Sequence, residues 1–183
     1  MLKLLAMKDL FAFVKWLNCL GGGMLRGCWF MVLIGILAPV EISCGANEWK
    51  GTLNQKREFS HRGVDYTINF TDSPSVGIDH SVSIQDVEDV ETCLRDSYDT
   101  FVDVMGFLRP RNSDKFEVNI YELPPGKAGL ANLYCIDIKA SVLRNNPGIP
   151  TPTGRNPSAE CRSVVAHEMF HTIQYAYLSL IHI

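Results

Sequence analysis

The chain has 183 residues, of which 46% are hydrophobic and 20% are charged, and its formal net charge is -3. This length and composition are typical of one globular domain. Because the sequence has neither an excess nor a run of Lys and Arg, it argues against a protein that binds nucleic acid. We therefore expect no nucleic-acid partner.

The N-terminal region, residues 1–46, contains two apolar stretches, at residues 10–20 and 28–38. The second follows Arg26 and precedes Cys44-Gly45-Ala46, which is the pattern of a secretory signal peptide. We predict a signal peptide over residues 1–46, with Met24 as an alternative start, and a secreted or extracytoplasmic protein. The alternative is a retained membrane anchor, although the stretch is shorter than the roughly 20 residues that cross a bilayer. A membrane would then be contacted only through this uncleaved segment.

Three cysteines remain after a cleavage behind Ala46, namely Cys93, Cys135 and Cys161. One pair among them could form a disulfide in an oxidising compartment, which would leave the third thiol free or paired elsewhere. The sequence does not choose between these pairings.

The first regular elements are predicted after a polar stretch, residues 47–62, that has no clear pattern. Apolar residues alternate over 64–70 and predict a half-buried strand. Ser83 and Asp86 have the spacing of a capping box and predict a helix over 83–106. The predicted apolar stripe of this helix consists of Ile84, Val87, Val90, Leu94, Tyr98, Phe101, Val104 and Met105. Its predicted solvated face consists of Asp86, Glu88, Asp89, Glu91 and Asp96.

The second half of the chain predicts two more strands and a helix. Alternation predicts a strand over 116–121, and residues 130–138 indicate another. Prolines and glycines predict a loop over 145–157. A helix over 158–177 should follow, with Asn156 as its N-cap and Pro157 at its first position.

This last helix contains the motif His167-Glu168-Met169-Phe170-His171. Residues four apart lie on one face of a helix, so His167 and His171 can present nitrogens to one Zn²⁺ ion. Glu168 is placed to act as general base on a zinc-activated water. The flanking residues are mostly apolar, and burying this polar trio without a partner would be costly. We therefore predict a zinc site.

The third zinc ligand is missing from the sequence that follows the motif. Gln174 and Tyr177 stand where an HExxHxxGxxH protein has Gly and His, and no acidic residue follows Glu168. Residues 178–183, Leu-Ser-Leu-Ile-His-Ile, resemble the translation of a sequencing adapter. We therefore expect a non-native tail over 178–183 and an incomplete ligand set in the domain at 47–177.

The helix over 164–177 is similar to the active-site helix of the MXAN-6640-type family, a group of secreted HExxH proteins predicted to be metallopeptidases. The order of strand 64–70, the long helix and strand 116–121 also follows that family. The resemblance implies zinc ligands at His167 and His171 and a general base at Glu168, and it implies nothing about a third ligand.

These observations predict an α+β fold: the N-terminal half of a zincin-like domain, with a small mixed sheet, a long helix and an HExxH helix. The predicted function is zinc-dependent hydrolysis of a peptide or protein substrate, with the chain itself an inactive fragment of the enzyme. The alternative is a noncatalytic zincin-like surface or adhesion module. Strand 131–138 is the predicted edge strand that would hold an extended substrate beside the zinc. Substrate preference and oligomeric state are not predicted.

Overall fold

The computed structural model describes residues 53–74, 77–110, 115–132, 135–152 and 154–181. The predicted signal peptide or anchor, residues 1–46, lies outside the described residues. Within those ranges, no helix is both long enough and apolar enough to cross a membrane. The described chain has an α+β fold, as the sequence predicts, with one mixed five-stranded sheet and two long helices.

The sheet has the strand order β1-β2-β3-β5-β4. Strands β2, β3 and β5 run parallel to one another, whereas β1 and β4 pair antiparallel at the two edges. The strands are β1 (Gln55–His61), β2 (Val64–Phe70), β3 (Lys115–Tyr121), β4 (Gly129–Ala131) and β5 (Cys135–Lys139).

Strands β2 and β3 confirm the two strands predicted from alternation, because their alternate apolar side chains are buried. Strand β1 was not predicted. It is an edge strand whose side chains are all exposed or half-buried, so its sequence lacks an apolar face. A tight turn at Arg62 and Gly63, both with positive φ, joins it to β2.

The single strand predicted over 130–138 is wrong. The chain reverses there, and β4 and β5 are two antiparallel strands. Asn132 closes the turn twice: its backbone N–H donates to the Cys135 carbonyl at 3.0 Å, and its side-chain oxygen accepts from the Cys135 N–H at 2.9 Å. Residues 133–134 lie outside the described ranges.

Helix α1 (Ile84–Tyr98) continues as a π-helical segment, Asp99–Val104. Its capping box between Ser83 and Asp86 is confirmed. Two details of the predicted pattern are wrong. Ile84 and Val104, placed in the apolar stripe, are 43% and 81% exposed, whereas Asp86 and Asp89, placed on the solvated face, are buried.

A hairpin of β6 (Ile149–Thr151) and β7 (Gly154–Asn156) occupies the region 145–157, where the sequence predicts only a loop. The short helix α2 (Ala140–Asn145) precedes it and was not predicted. Arg155 forms two hydrogen bonds of 3.0 Å with the buried Asp89 carboxylate. Asp89 also accepts from the Gly148 N–H at 3.1 Å. Burial of Asp89 is therefore explained by a hairpin more than fifty residues away that supplies its partners.

Helix α3 (Ala159–Ile181) is the predicted final helix. Its N-cap is Ser158 rather than Asn156, because the Ser158 hydroxyl accepts from the Cys161 N–H at 3.1 Å. The helix packs against α1 on one side and against edge strand β4 on another. It continues to Ile181, and whether residues 178–183 are a non-native tail stays a prediction.

Candidate metal centre

The packing of one face of α3 against the core sets the direction in which the two histidines of the motif point. Val165, Met169 and Ile173 are fully buried and fix which side of α3 faces the core. Phe170 adds an aromatic contact with Phe101 within the π-helical segment, at a ring-centroid distance of 5.6 Å. Because His167 and His171 lie away from this buried stripe, their rings reach the surface.

The two imidazoles converge as their spacing predicts. Nε2 of His167 and Nε2 of His171 lie 3.0 Å apart, with the ring planes nearly perpendicular at 87°. Partial withdrawal of the His167 ring from water, together with the neighbouring His171, lowers the pKa of His167. The neutral imidazole that a metal ion requires is thus favoured at neutral pH.

Gln174 orients the second imidazole. Its side-chain oxygen lies 2.8 Å from Nδ1 of His171. Because an amide oxygen only accepts, Nδ1 carries the hydrogen and Nε2 keeps the lone pair that a metal ion needs. The 3.0 Å contact between the histidines is then a hydrogen bond donated by Nε2 of His167.

Glu168 is 6% exposed and lies against edge strand β4. A methyl group at Gly129 would come within 2.6 Å of Cγ and 2.7 Å of Oε1 of Glu168, so any larger residue there would require the Glu168 side chain to shift. Burial, and secondarily the nearby Asp137 carboxylate, raises the pKa of Glu168 to about 7. A carboxylate with such a pKa can accept and return a proton near neutrality.

Asp137 belongs to a buried polar ladder that crosses the parallel strands. Its carboxylate accepts from Asn119 Nδ2 and from the Tyr121 hydroxyl, each at 2.9 Å. Asn119 in turn accepts from Asn69 Nδ2 at 2.9 Å. Register explains the ladder, since Asn69 pairs with Asn119 and Asn119 with Asp137 in neighbouring strands. Strand β3, supported by β2, thereby fixes the Asp137 carboxylate, whose charge helps to raise the pKa of Glu168.

The structure places the predicted edge strand differently from the sequence analysis. The outer edge is β4, residues 129–131, whereas Asp137 lies on internal strand β5. Strand β4 is the edge that contacts α3. Only the beginning of the predicted strand therefore lies where an added peptide could pair.

The two histidines fit a zinc ion. Ligand bonds of 2.0–2.1 Å in tetrahedral geometry hold two nitrogens about 3.3 Å apart, and a small rotation of either ring opens the observed 3.0 Å to that value. Across the ranges that the structure describes, however, no three His, Cys, Asp or Glu side chains converge as a metal-binding group. The described residues thus provide two ligands of the three or four that zinc takes.

Two further tyrosines on α3 have different surroundings. The Tyr175 pKa is raised by burial and by the charge of Glu168, which places its hydroxyl in the electrostatic field of the site. The Tyr177 hydroxyl instead accepts from the Leu108 N–H at 3.3 Å, and its ring packs edge-on against Phe107. Tyr177 thus fastens the helix to the segment that follows α1.

Sequence analysis identified the histidines and Glu168 but missed Gln174 and Gly129. Gln174 could have been found, because residues three apart on a helix are neighbours and Gln174 follows His171 by three. Gly129 has no such local signal, since its contact with Glu168 depends on how β4 packs against α3. Comparison with known protein families, curated proteins and solved structures gave no match.

Proposed function

We propose that this chain carries the catalytic helix of a zincin-like zinc peptidase that acts outside the cytoplasm. The observation that carries the proposal is the convergence of two imidazole nitrogens to 3.0 Å beside a buried glutamate on one helix. His167 and His171 would hold the metal, and the missing ligand would come from outside the described residues.

The roles of the chain's own residues follow from their positions. Glu168 takes a proton from the attacking water and later returns it to the leaving amine. Gln174 keeps Nε2 of His171 available as a ligand. A bound zinc ion would supply Lewis acidity, which polarises the scissile carbonyl and lowers the pKa of water.

Edge strand β4 supports a peptide as substrate. One side of β4 pairs with β5, and an extended peptide could add to its other side through backbone hydrogen bonds. Because Gly129 on this strand touches Glu168, a peptide bound there would have its backbone next to the general base.

The test uses the protein as its natural gene encodes it. We expect one tightly bound zinc ion by elemental analysis, which His171→Ala should abolish. Glu168→Gln should keep the zinc and lower kcat/KM for a peptide substrate by at least about a hundredfold, because general base catalysis contributes on that scale.

His61→Ala is the matched control, since this histidine is paired with Asp99 of the π-helical segment and should not affect zinc. Zinc binding without hydrolysis in the unmodified protein would favour the noncatalytic surface or adhesion module. Absence of zinc from that protein would refute the metal site itself.

A further inference from the structure

Two buried thiols meet where α1 crosses α3. Cys93, in the middle of α1, is 1% exposed, and Cys161, in the first turn of α3, is 2% exposed. Their sulfur atoms lie 3.5 Å apart. The candidate metal centre uses neither residue.

Ion pairs join α1 to strand β7 on one side of these thiols and to α3 on the other. Asp89, one turn before Cys93, binds Arg155. Asp96, one turn after it, binds Arg162 at 3.1 Å. Because the chain from Arg155 to Arg162 is fixed to α1 at both ends, Cys161 remains opposite Cys93.

The geometry allows a covalent bond. A disulfide has a sulfur–sulfur distance of about 2.05 Å, so the observed 3.5 Å must shorten by about 1.5 Å. Rotation about the two Cα–Cβ bonds moves the sulfur atoms relative to each other and can bring them closer.

We propose that Cys93 and Cys161 form a disulfide bond that links α1 to the catalytic helix in the exported protein. The oxidant is an external disulfide. One cysteine thiolate attacks it and forms a mixed disulfide, releasing one thiol. The other cysteine then attacks the protein sulfur and releases a second thiol. Two electrons and two protons thus pass to the oxidant, which becomes two thiols.

The bond forms during folding rather than in the finished structure. Contact with Cys93 and burial raise the pKa of the Cys161 thiol, so the native protein contains little of the reactive thiolate. The bond then closes a loop over 93–161 that includes β3, β4 and β5. The start of α3 is fixed to α1 six residues before His167.

The experiment is refolding of the full chain in a mixture of reduced and oxidised glutathione, followed by alkylation of free thiols and tryptic digestion. Cleavage after Arg62, Arg95, Arg155 and Arg162 releases peptides 63–95 and 156–162, each with a single cysteine. We expect these peptides joined by a disulfide. Reduction should then lower the melting temperature by about 10 °C, the scale for closing a long loop in a domain of this size.

The double variant Cys93→Ala/Cys161→Ala is the control. Reductant should lower its melting temperature by about 10 °C less than it lowers that of wild type. Circular dichroism establishes that each sample is folded. Recovery of both cysteines in alkylated form from the folded, oxidised protein would overturn the proposal. Pairing of either one with a third cysteine would overturn it as well. Neither outcome bears on zinc binding.

Discussion

At the scale of single residues, the orientation of His171 depends on one amide. Gln174 accepts the Nδ1 hydrogen and leaves Nε2 directed at Nε2 of His167. A histidine ligand held in this way binds metal more tightly because its tautomer and ring orientation are already set. The contribution of Gln174 can therefore be measured apart from any catalysis.

We expect Gln174→Ala to weaken zinc affinity by about tenfold to a hundredfold, the usual effect of losing such a partner. Gln174→Glu keeps an acceptor and should retain most of the affinity. Nitrogen-15 NMR of the imidazoles before metal is added reports the tautomer directly. Wild type should show the hydrogen of His171 on Nδ1, and Gln174→Ala should show a mixture. An unchanged tautomer and affinity in Gln174→Ala would remove this role from Gln174.

At the scale of elements, the contact between β4 and α3 positions Glu168, the proposed general base. Gly129 has no side chain, and Glu168 occupies the space that a Cβ would fill. The position of the Glu168 carboxylate therefore depends on a glycine in an edge strand as well as on its own helix.

We expect Gly129→Ala to displace the Glu168 side chain, and so to lower kcat for the proposed hydrolysis by the natural protein while its zinc content is unchanged. Gly148→Ala is a matched control, because its methyl group would collide with another carboxylate, that of Asp89. That variant should lower the melting temperature but leave the kcat of the folded protein intact. Equal losses of kcat in both variants would indicate general destabilisation rather than a role for Gly129.

Elements with local signals were predictable from the sequence, and elements set by distant contacts were not. Ser83 and Asp86 define the start of α1 within one turn, so the capping box was found. The reversal between β4 and β5 replaced a predicted continuous strand because pairing with Ile136 and Asp137 outweighs local pattern. Asp89 was misplaced because its partner Arg155 is far away in sequence.

The candidate site follows the same division. The histidines converge because of helical spacing, which the sequence contains. The raised pKa of Glu168 depends on its burial and on the charge of Asp137. Both exist only when the sheet is packed against the helix. The motif was therefore predictable, whereas the environment that tunes its carboxylate was not.

At the scale of the whole molecule, a buried neutral histidine makes stability depend on pH. His80 is 1% exposed, and its Nδ1 accepts from the Glu122 N–H at 3.0 Å. Arg144 fixes the same loop by donating to the carbonyls of Asp79 and Ser81. This loop leads into α1, so His80 connects the start of that helix to the end of β3.

Burial lowers the pKa of His80, and the charge of Arg144 acts in the same direction, against the opposing carboxylates of Glu122 and Asp79. Since the folded state has the lower pKa, the unfolded chain binds more protons below its own pKa of about 6.5. The stabilising contribution is therefore complete above that pH and is lost as the pH falls through the folded-state pKa.

We expect the free energy of unfolding to fall between pH 7 and pH 5, with His80 contributing at most about 1.4 kcal/mol per pH unit. Urea unfolding of wild type and of His80→Gln measures this, because glutamine can still accept from Glu122 but does not titrate. The stability difference between the two proteins should favour wild type most at pH 7 and shrink towards pH 5. A difference that is constant with pH would show that His80 contributes through packing alone, and that the acid sensitivity of the fold arises elsewhere.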